Sequence, residues 1–186
     1  SKPPLPNSQT ALAVRKTYKA IKKMSFRTFI QKAADSGDLV TINKEVDTTF
    51  ELANVAHALE GKPVLFTNIK GYPGWRVCAG ACSDRRYFSM DLGVAVPDLA
   101  PHLAQAMAQP QTPPVIATAP CQEVIVDNVD LNQLPILLHL PQDGGHYIAS
   151  NVVITNDPDL GRNMCYHRLL RLDSKRFAAR IVERRG

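Results

Sequence analysis

Hydrophobic positions recur at helical spacing along the first part of the chain, with short strand-like stretches between them. Apolar residues three and four apart predict a helix that begins at the N-cap Ser25 and ends at Gly37. Further helices are predicted at 50–59, 84–90 and 98–108, and strands at 39–46, 64–69 and 76–80. Either Asp47 or Thr48 is expected to cap the second helix. This succession of elements indicates an N-terminal α/β layer domain over residues 24–108.

The strand predicted at 64–69 differs from the other two because it is apolar at nearly every position. Alternating strands have one polar face, whereas an all-apolar strand is typical of burial on both faces. We therefore expect residues 64–69 to lie in the core of the first domain.

Residues 109–120 mark a change in the pattern. Their four prolines exclude a helix and favour an extended, strand-like linker. Beyond the linker the sequence is rich in β-formers, and strands are predicted at 123–126, 152–155, 164–172 and 177–182. The predicted fold class is therefore α+β, in which residues 121–186 form the opening strands of an antiparallel sheet or barrel.

The formal net charge of +5 comes from one end of the chain. Seven of the 22 Lys and Arg residues lie within residues 1–27, which hold no acid, and the rest of the chain is slightly acidic. A nucleic-acid-binding domain would instead spread basic residues over a folded face among aromatics. Residues 1–23 are therefore interpreted as a solvated basic extension, either a transit-like segment or an artificial leader, and no nucleic-acid partner is expected.

The four cysteines, at positions 78, 82, 121 and 165, form no CxxC pair and no zinc-ligand pattern with histidine. Small buried thiols in a reducing compartment are the expected state. No apolar run approaches the 18 residues of a membrane span, so no stable membrane insertion is predicted. A cytoplasmic location follows, or a mitochondrial one if residues 1–23 are a native transit segment.

Three stretches hold residues suited to chemistry. Residues 143–148 contain a Gly pair that permits close backbone approach, or that forms a plain hairpin turn. Asn163 stands where a predicted strand begins; its amide oxygen could ligate a hard cation, or satisfy the backbone of the turn before it.

The third stretch runs from Tyr166 to Arg168 and continues at residues 176–185, which hold four arginines. Tyr166 and Arg168 point to one face of an alternating strand and His167 to the other. Arginine on a sheet face suits carboxylate or phosphate, although a solvated basic end is the alternative interpretation.

From residue 24 to residue 186 the chain resembles the UbiD family of decarboxylases. The matching strings are GDLVTINKEVD, KPVLFTNIKGYPGWRV, TAPCQEV, DLNQLPILLHLPQDGGHYIASNVVITNDPDLGRN and YHRL. The resemblance is greatest to the ubiquinone-pathway or hydroxyarylic acid decarboxylase branch. It implies an N-terminal α/β domain followed by a split β-barrel that holds the flavin.

This resemblance implies non-oxidative, reversible decarboxylation of an aromatic or α,β-unsaturated acid. The implied cofactors are prenylated FMN, which serves as the electron sink, and Mn²⁺ with K⁺ close by. The implied partners are the small acid substrate, a flavin prenyltransferase that supplies the cofactor, and further copies of the chain in a homo-oligomer.

The resemblance also assigns roles to individual residues. Asn163 matches a metal-ligating position, and Arg168 matches the arginine that orients the substrate carboxylate and is the predicted catalytic residue. The predicted flavin contacts are Tyr166, His167, Arg168, Arg180, Ile181, Val182, Arg185 and Gly186. His167 and Ile181 depart from the usual Tyr and Trp, and Arg180 stands where some branches carry a metal-binding His.

Family members are more than twice as long, so the resemblance implies that the proton-delivering acid and a metal-ligating Glu lie outside these residues. We expect the chain to be an N-terminal fragment or one subunit of a split enzyme, inactive alone. The alternatives are a non-catalytic UbiD-like assembly or regulatory subunit and an FMN-binding split-barrel oxidoreductase. No nicotinamide-binding fingerprint supports the oxidoreductase.

Overall fold

A computed structural model describes residues 25–113 and 116–181. Contacts group them into two units, each assembled from separate segments of the chain. The first unit comprises the described residues up to Val40, together with Gly61–Pro63 and Gly80–Ile125. The second comprises Thr41–Glu60, Val64–Ala79 and the described residues from Val126 onward.

Both helices and strands are present, which confirms the mixed α+β class. The helices are α1 (Phe26–Asp35), α2 (Glu51–Ala58), α3 (Arg85–Leu92) and α4 (Leu99–Ala108). Short 3-10 turns span Val96–Asp98, Pro120–Gln122 and Leu131–Gln133. The strands are β1 (Val40–Ile42), β2 (Val64–Phe66), β3 (Val77–Ala79), β4 (Tyr147–Asp157), β5 (Gly161–Arg171) and β6 (Phe177–Ala179). They form two three-stranded sheets, ordered β1-β2-β3 and β4-β5-β6.

The core of the first unit is built by α1 and α3. The predicted N-cap of α1 is confirmed: the Ser25 hydroxyl accepts a hydrogen bond from the Thr28 amide at 3.2 Å, and the Ser25 amide donates to the Thr28 hydroxyl at 2.8 Å. Phe29 and Ala33 are buried one turn apart. Phe29 meets the ring of Tyr87 edge to face, with centroids 6.2 Å apart. The face predicted from the helical period, formed by Phe26, Phe29, Ile30 and Ala33, is therefore buried at Phe29 and Ala33, whereas Phe26 is 56% exposed.

The first sheet contains the most deeply buried strand. All three residues of β2 are buried, and β2 pairs antiparallel with β3. The burial predicted for residues 64–69 is therefore confirmed at residues 64–66, but the strand ends there and Asn68 is exposed. The predicted strand at 39–46 is shorter than expected: β1 ends at Ile42, and Val46 forms only an isolated bridge with Ile69.

The predicted cap of α2 is wrong. Phe50 occupies the N-cap position with a φ of +65°, and its side chain forms no capping hydrogen bond. Asp47 is engaged elsewhere, because its carboxylate accepts from the Thr49 amide at 2.9 Å and from Lys70 at 3.1 Å. These two hydrogen bonds lower the pKa of Asp47.

Two predicted extended segments also fail. Residues 109–113 and 116–119 form no strand, and neither do residues 123–126. The side chains of Val124 and Ile125 are each 79% exposed. High β-propensity produces a strand only where a partner supplies the ladder of hydrogen bonds, and among the described residues none pairs with this segment.

The second sheet is dominated by a long hairpin. β4 and β5 pair from Tyr147↔Leu170 to Asp157↔Gly161, with a bulge on β4 between residues 148 and 151. The connecting turn is held by the Asp157 carboxylate, which accepts from the amides of Leu160 at 2.8 Å and Asp159 at 2.9 Å. These backbone hydrogen bonds lower the pKa of Asp157.

The short strand β6 is placed by the turn before it. The Asp173 carboxylate accepts from the amides of Lys175 at 2.8 Å and Arg176 at 2.9 Å, which closes the turn. β6 then pairs with β5 through three residue pairs, from Arg171↔Phe177 to Leu169↔Ala179. Within the described residues no helix is long and apolar enough to cross a membrane.

The expected burial of the cysteines is wrong. Cys82 and Cys121 are exposed, whereas Cys78 and Cys165 are half-buried. None of the four takes part in a disulfide in the described part of the chain. The small residues around Cys78 and Cys82 lie at the end of β3 and in the turn after it, where apolar composition does not require a core position.

Candidate functional site

One face of the second sheet forms an open groove of about 650 Å³. The groove is lined by His139, Leu140, Asp143, Tyr147, Ala149, Arg168, Leu170, Ala178, Ala179 and Arg180. Residues directly opposite in an antiparallel sheet share a face. Because Tyr147 pairs with Leu170 and Leu170 pairs with Ala178, these three side chains form one apolar row across all three strands.

A second row beside the apolar one carries two positive charges. Continuing the β5–β6 register by one residue places Arg180 opposite Arg168, and both line the groove. None of the ion pairs among the described residues involves Arg168 or Arg180. Two adjacent guanidinium groups without a carboxylate partner repel each other, and an anion bound between them would relieve that repulsion.

A loop before β4 supplies the wall of the groove. The Leu138 amide donates to the Thr48 carbonyl at 3.1 Å, and the Leu138 carbonyl accepts from the Phe50 amide at 2.9 Å. On its other side, the Leu137 carbonyl accepts from the Tyr147 amide at 3.0 Å. These bonds hold the backbone that presents His139 and Leu140 to the groove, and they account for the unusual φ of Phe50.

The His146 ring strengthens the same loop. Its Nδ1 lies 2.7 Å from the Ile136 carbonyl, which can only accept, so Nδ1 carries the proton and donates. Ile136 is buried, so this hydrogen bond is sheltered from water. The wall is thus fixed by both backbone and side-chain bonds.

The pair Gly144 and Gly145 was predicted to allow close approach of the backbone. The structure shows such an approach at Gly145 only. A Cβ on Gly145 would lie 3.0 Å from Leu170 Cδ1, and Gly145 has a φ of +147°. A Cβ on Gly144 would meet only the Tyr147 hydroxyl, at 3.4 Å. Gly145 therefore lets the loop pass close to the apolar row of the groove.

The predicted site residues on β5 divide between the two faces of the sheet. Arg168 lines the groove, and Tyr166, two residues away on the same face, is 79% exposed. Asn163 and His167 lie at odd-numbered positions and point to the opposite face, where they pair with Thr155 and Asn151. The structure therefore brings Arg168 and Arg180 together in one groove and places Asn163 behind it.

The remaining predicted flavin contacts follow β6. Ile181 is 60% exposed and lies just beyond Arg180. The predicted contacts Val182, Arg185 and Gly186 lie outside the described residues. Their assignments stay predictions.

The described residues do not fit a complete divalent-metal site. No three His, Cys, Asp or Glu side chains come together among them. Asn163 is exposed and would supply a single amide oxygen, whereas a hard cation requires six or more oxygen ligands. No chemical step through a metal is therefore derived for this chain.

The same residues do fit the anionic and ring portions of a flavin. The paired arginines offer a site for a phosphate, and the row formed by Tyr147, Leu170 and Ala178 offers a flat apolar surface beside it. The small side chain of Ala149 leaves space against the sheet.

A further contact was missed by sequence reasoning. Cys165 Sγ lies 2.9 Å from His167 Nε2 on the face opposite the groove. Both residues are half-buried. The signal was available, because residues i and i+2 of a strand share a face.

Two family models match the chain. Residues 30–107 match the 3-octaprenyl-4-hydroxybenzoate carboxy-lyase N-terminal domain, and residues 114–186 match the 3-octaprenyl-4-hydroxybenzoate carboxy-lyase Rift-related domain. Among curated relatives, the anhydromevalonate phosphate decarboxylase of Methanosarcina mazei is 32% identical over 159 residues, which are 86% of this chain and 36% of the relative. The chain thus spans about a third of the length of the curated relatives it matches.

Solved structures show the same similarity. An evolved dimeric form of the UbiD-class enzyme HmfF from Pelotomaculum thermopropionicum, in complex with prFMN, superposes with a TM-score of 0.81 at 34% identity, covering 87% of this chain and 39% of that one. The apo 3,4-dihydroxybenzoic acid decarboxylase of Klebsiella pneumoniae gives a TM-score of 0.78 at 25% identity, covering 87% of this chain and 38% of that one.

Proposed function

Because the chain belongs to the UbiD family of carboxy-lyases, we propose that it takes part in the decarboxylation of a carboxylic acid with prenylated FMN as cofactor. The reaction is non-oxidative and reversible, and the substrate is an aromatic or α,β-unsaturated acid. The observation that carries this proposal is the groove in which Arg168 and Arg180 stand side by side without a carboxylate partner among the described residues.

Within the groove we assign the two arginines different tasks. Arg168 orients the substrate carboxylate, and Arg180 holds an anionic part of the flavin, together with a contact from Tyr166. The contacts predicted for His167 and Ile181 do not line this groove, and they stay predictions. Prenylated FMN supplies an electron sink when it is bound. The apolar row of Tyr147, Leu170 and Ala178 shields one face of a bound ring from water, which strengthens the charge interactions beside it.

The rest of the assembly is part of the same proposal. Residues 121–186 contribute strands to a flavin-binding split β-barrel, and residues 24–108 form the domain before it. Asn163 contributes one ligand to a Mn²⁺ site, with K⁺ nearby, that is completed from outside the described residues. A flavin prenyltransferase supplies the cofactor, and the protein works as a homo-oligomer in the cytoplasm.

Equilibrium binding of FMN to the 186-residue chain, followed by quenching of flavin fluorescence, tests the anion site. We expect Arg180→Ala to weaken binding about tenfold or more, since it removes a charge-assisted contact. Arg162→Ala is the matched control, because Arg162 is an exposed arginine on the same sheet that does not line the groove. Equal weakening by both variants would contradict the proposed site.

Retention of prenylated FMN gives a second measurement. The chain is co-expressed with a flavin prenyltransferase, and the purified protein is examined for flavin absorbance. Bound flavin supports the proposal. A colourless protein that also fails to bind FMN would favour the alternative, a non-catalytic assembly or regulatory subunit.

A further inference from the structure

The segment that leads into α2 contains a strained turn. Among the described residues, Phe50 is the only one other than glycine that has a positive φ. Its φ is +65° and its ψ is −41°, and around it the Glu51 amide donates to the Thr49 carbonyl at 2.8 Å. These features define the rarer form of the γ-turn, which a residue with a Cβ adopts only at a cost in free energy.

The turn is held against the wall of the groove by Leu138. The Phe50 amide donates to the Leu138 carbonyl at 2.9 Å, and the Leu138 amide donates to the Thr48 carbonyl at 3.1 Å. The net contribution of two such hydrogen bonds is of the same size as the strain at one distorted residue. The favourable and unfavourable parts of this contact are therefore close to balanced.

On its other side the wall is attached to β4 without such strain. The Tyr147 amide donates to the Leu137 carbonyl at 3.0 Å, and His146 Nδ1 lies 2.7 Å from the Ile136 carbonyl. Neither Tyr147 nor His146 has a positive φ. From this point β4 continues into its long ladder with β5. The wall is thus anchored firmly to β4 and weakly to the turn, as in a flap with one fixed edge.

We infer that Phe50 is a positioning residue, whose strained turn keeps the wall that carries His139 and Leu140 closed but easily opened, so that a ligand can enter the groove. Phe50 does not line the groove, so it acts through the wall and not through a contact with the ligand. Strained residues of this kind recur where a site is prepared in one conformation and must leave it readily. The inference rests on the proposed function, because the groove is the proposed flavin site.

Amide hydrogen exchange of the unaltered chain, followed by NMR, gives the first test. An amide exchanges when its hydrogen bond opens, so the amides of Leu138 and Tyr147 report on the two edges of the wall. After correction for intrinsic rates, we expect the Leu138 amide to exchange about tenfold faster than the Tyr147 amide, a difference of about 1.4 kcal/mol in opening free energy. Equal protection of the two amides would overturn the inference.

The second test separates the strain from the phenyl ring. Phe50→Gly and Phe50→Ala both remove the ring, but only glycine adopts this turn without strain. The Leu138 amide should therefore be about tenfold more protected in Phe50→Gly than in Phe50→Ala. Equal protection in these two variants would show that the strain does not control the wall.

Val55, a half-buried residue within α2, provides the matched control. Glycine is less favourable than alanine inside a helix, so Val55→Gly should be less stable overall than Val55→Ala. Exchange of the Leu138 amide should nevertheless be the same in both, because it proceeds by local opening. Faster exchange in Val55→Gly would show that Leu138 exchanges only when the whole protein unfolds, and the inference would fail.

The third test measures the rates of FMN binding by stopped-flow fluorescence. If the wall opens to admit FMN and closes over it, relief of the strain stabilises the closed wall with and without the ligand. Association and dissociation should then both be about fivefold slower in Phe50→Gly than in Phe50→Ala, while the dissociation constant changes by less than about twofold. Equal rate constants in the two variants, or a change in the dissociation constant alone, would overturn the inference.

The possible results separate this inference from the proposed function. If FMN does not bind to the unaltered chain, the proposed function fails and the inference fails with it. If FMN binds and Arg180→Ala weakens it, while the Leu138 and Tyr147 amides exchange equally, the inference alone is overturned. The exchange comparison requires no substitution, so it remains decisive even if neither Phe50 variant folds.

Discussion

The two sheets of this protein are built in opposite ways. The strands of the first sheet are three residues long, and its central strand β2 is buried at every position. The second sheet has two strands of 11 residues, and none of the residues in β4, β5 or β6 is buried. The first sheet therefore contributes mainly to stability, whereas the second leaves its side chains accessible and carries the groove.

The sharpest test of this comparison removes one large side chain from each sheet. Phe66→Ala should lower the free energy of unfolding by about 3–5 kcal/mol, because Phe66 is fully buried. Met164→Ala should change it by no more than about 0.5 kcal/mol, since Met164 is 67% exposed. Urea denaturation followed by circular dichroism measures both. Similar losses for the two variants would remove the distinction between the sheets.

A change beside the groove should have an intermediate effect. Gly145→Ala strains a backbone with a φ of +147° and brings a methyl group against Leu170, so we expect a loss of about 1–2 kcal/mol. Gly144→Ala meets only the terminal hydroxyl of Tyr147 and should cost less than half as much. Urea denaturation again provides the measurement. The opposite ranking would show that the close approach at Gly145 is not a constraint.

The arginine pair in the second sheet is expected to lower the free energy of unfolding. Replacing Arg168 by Gln removes the repulsion between two like charges opposite each other, so the free energy of unfolding should rise by about 0.5 kcal/mol at low salt. The gain should disappear at 1 M salt, while Arg162→Gln has no such salt-dependent effect. A clear loss of stability in Arg168→Gln would show that Arg168 has a stabilising partner.

The smallest expected effect concerns pH. Hydrogen bonds from the amides of Leu160 and Asp159 favour the charged form of Asp157, so the carboxyl should titrate below its ordinary pKa of 3.8. The stabilisation of the β4–β5 turn is then complete above pH 3.8 and is lost as the pH falls through the lowered value. NMR titration of the side-chain carboxyl carbon measures the midpoint. A midpoint at or above 3.8 would contradict the stabilisation of the charged Asp157 carboxylate by the amides of the turn.

The sequence predicted those parts of the fold that are fixed by interactions between residues close together in the chain. The cap at Ser25 and the helix after it were predicted correctly because a cap and a helical period lie within a few residues of one another. The cap of α2 was predicted wrongly, since Phe50 is held in its position by a hydrogen bond to Leu138, far along the chain. The strand at 123–126 was predicted wrongly because a ladder partner is not encoded in the strand itself.

The candidate site shows the same limit. The resemblance to the UbiD family predicted Arg168 and Arg180 as flavin and substrate contacts. Those roles stay predictions, and the structure places both arginines in one groove. The sequence marked residues 143–148 as suited to chemistry, but it could not place Asp143 and Tyr147 in the groove, since their position depends on the bonds that hold the loop at Leu137 and Leu138. The contact of Cys165 with His167 could have been predicted, because residues i and i+2 of a strand share a face.

The position of Arg180 depends on a turn of only a few residues. Three residue pairs hold β6 in register, and the turn closed by Asp173 sets which residues pair. Inserting or deleting one residue in this turn would shift β6 by one position and move Arg180 to the other face of the sheet. Folds usually tolerate changes in loop length. Here such a change would remove the two-arginine site. Descendants of this gene that keep the groove should therefore show substitutions in this turn but no change in its length.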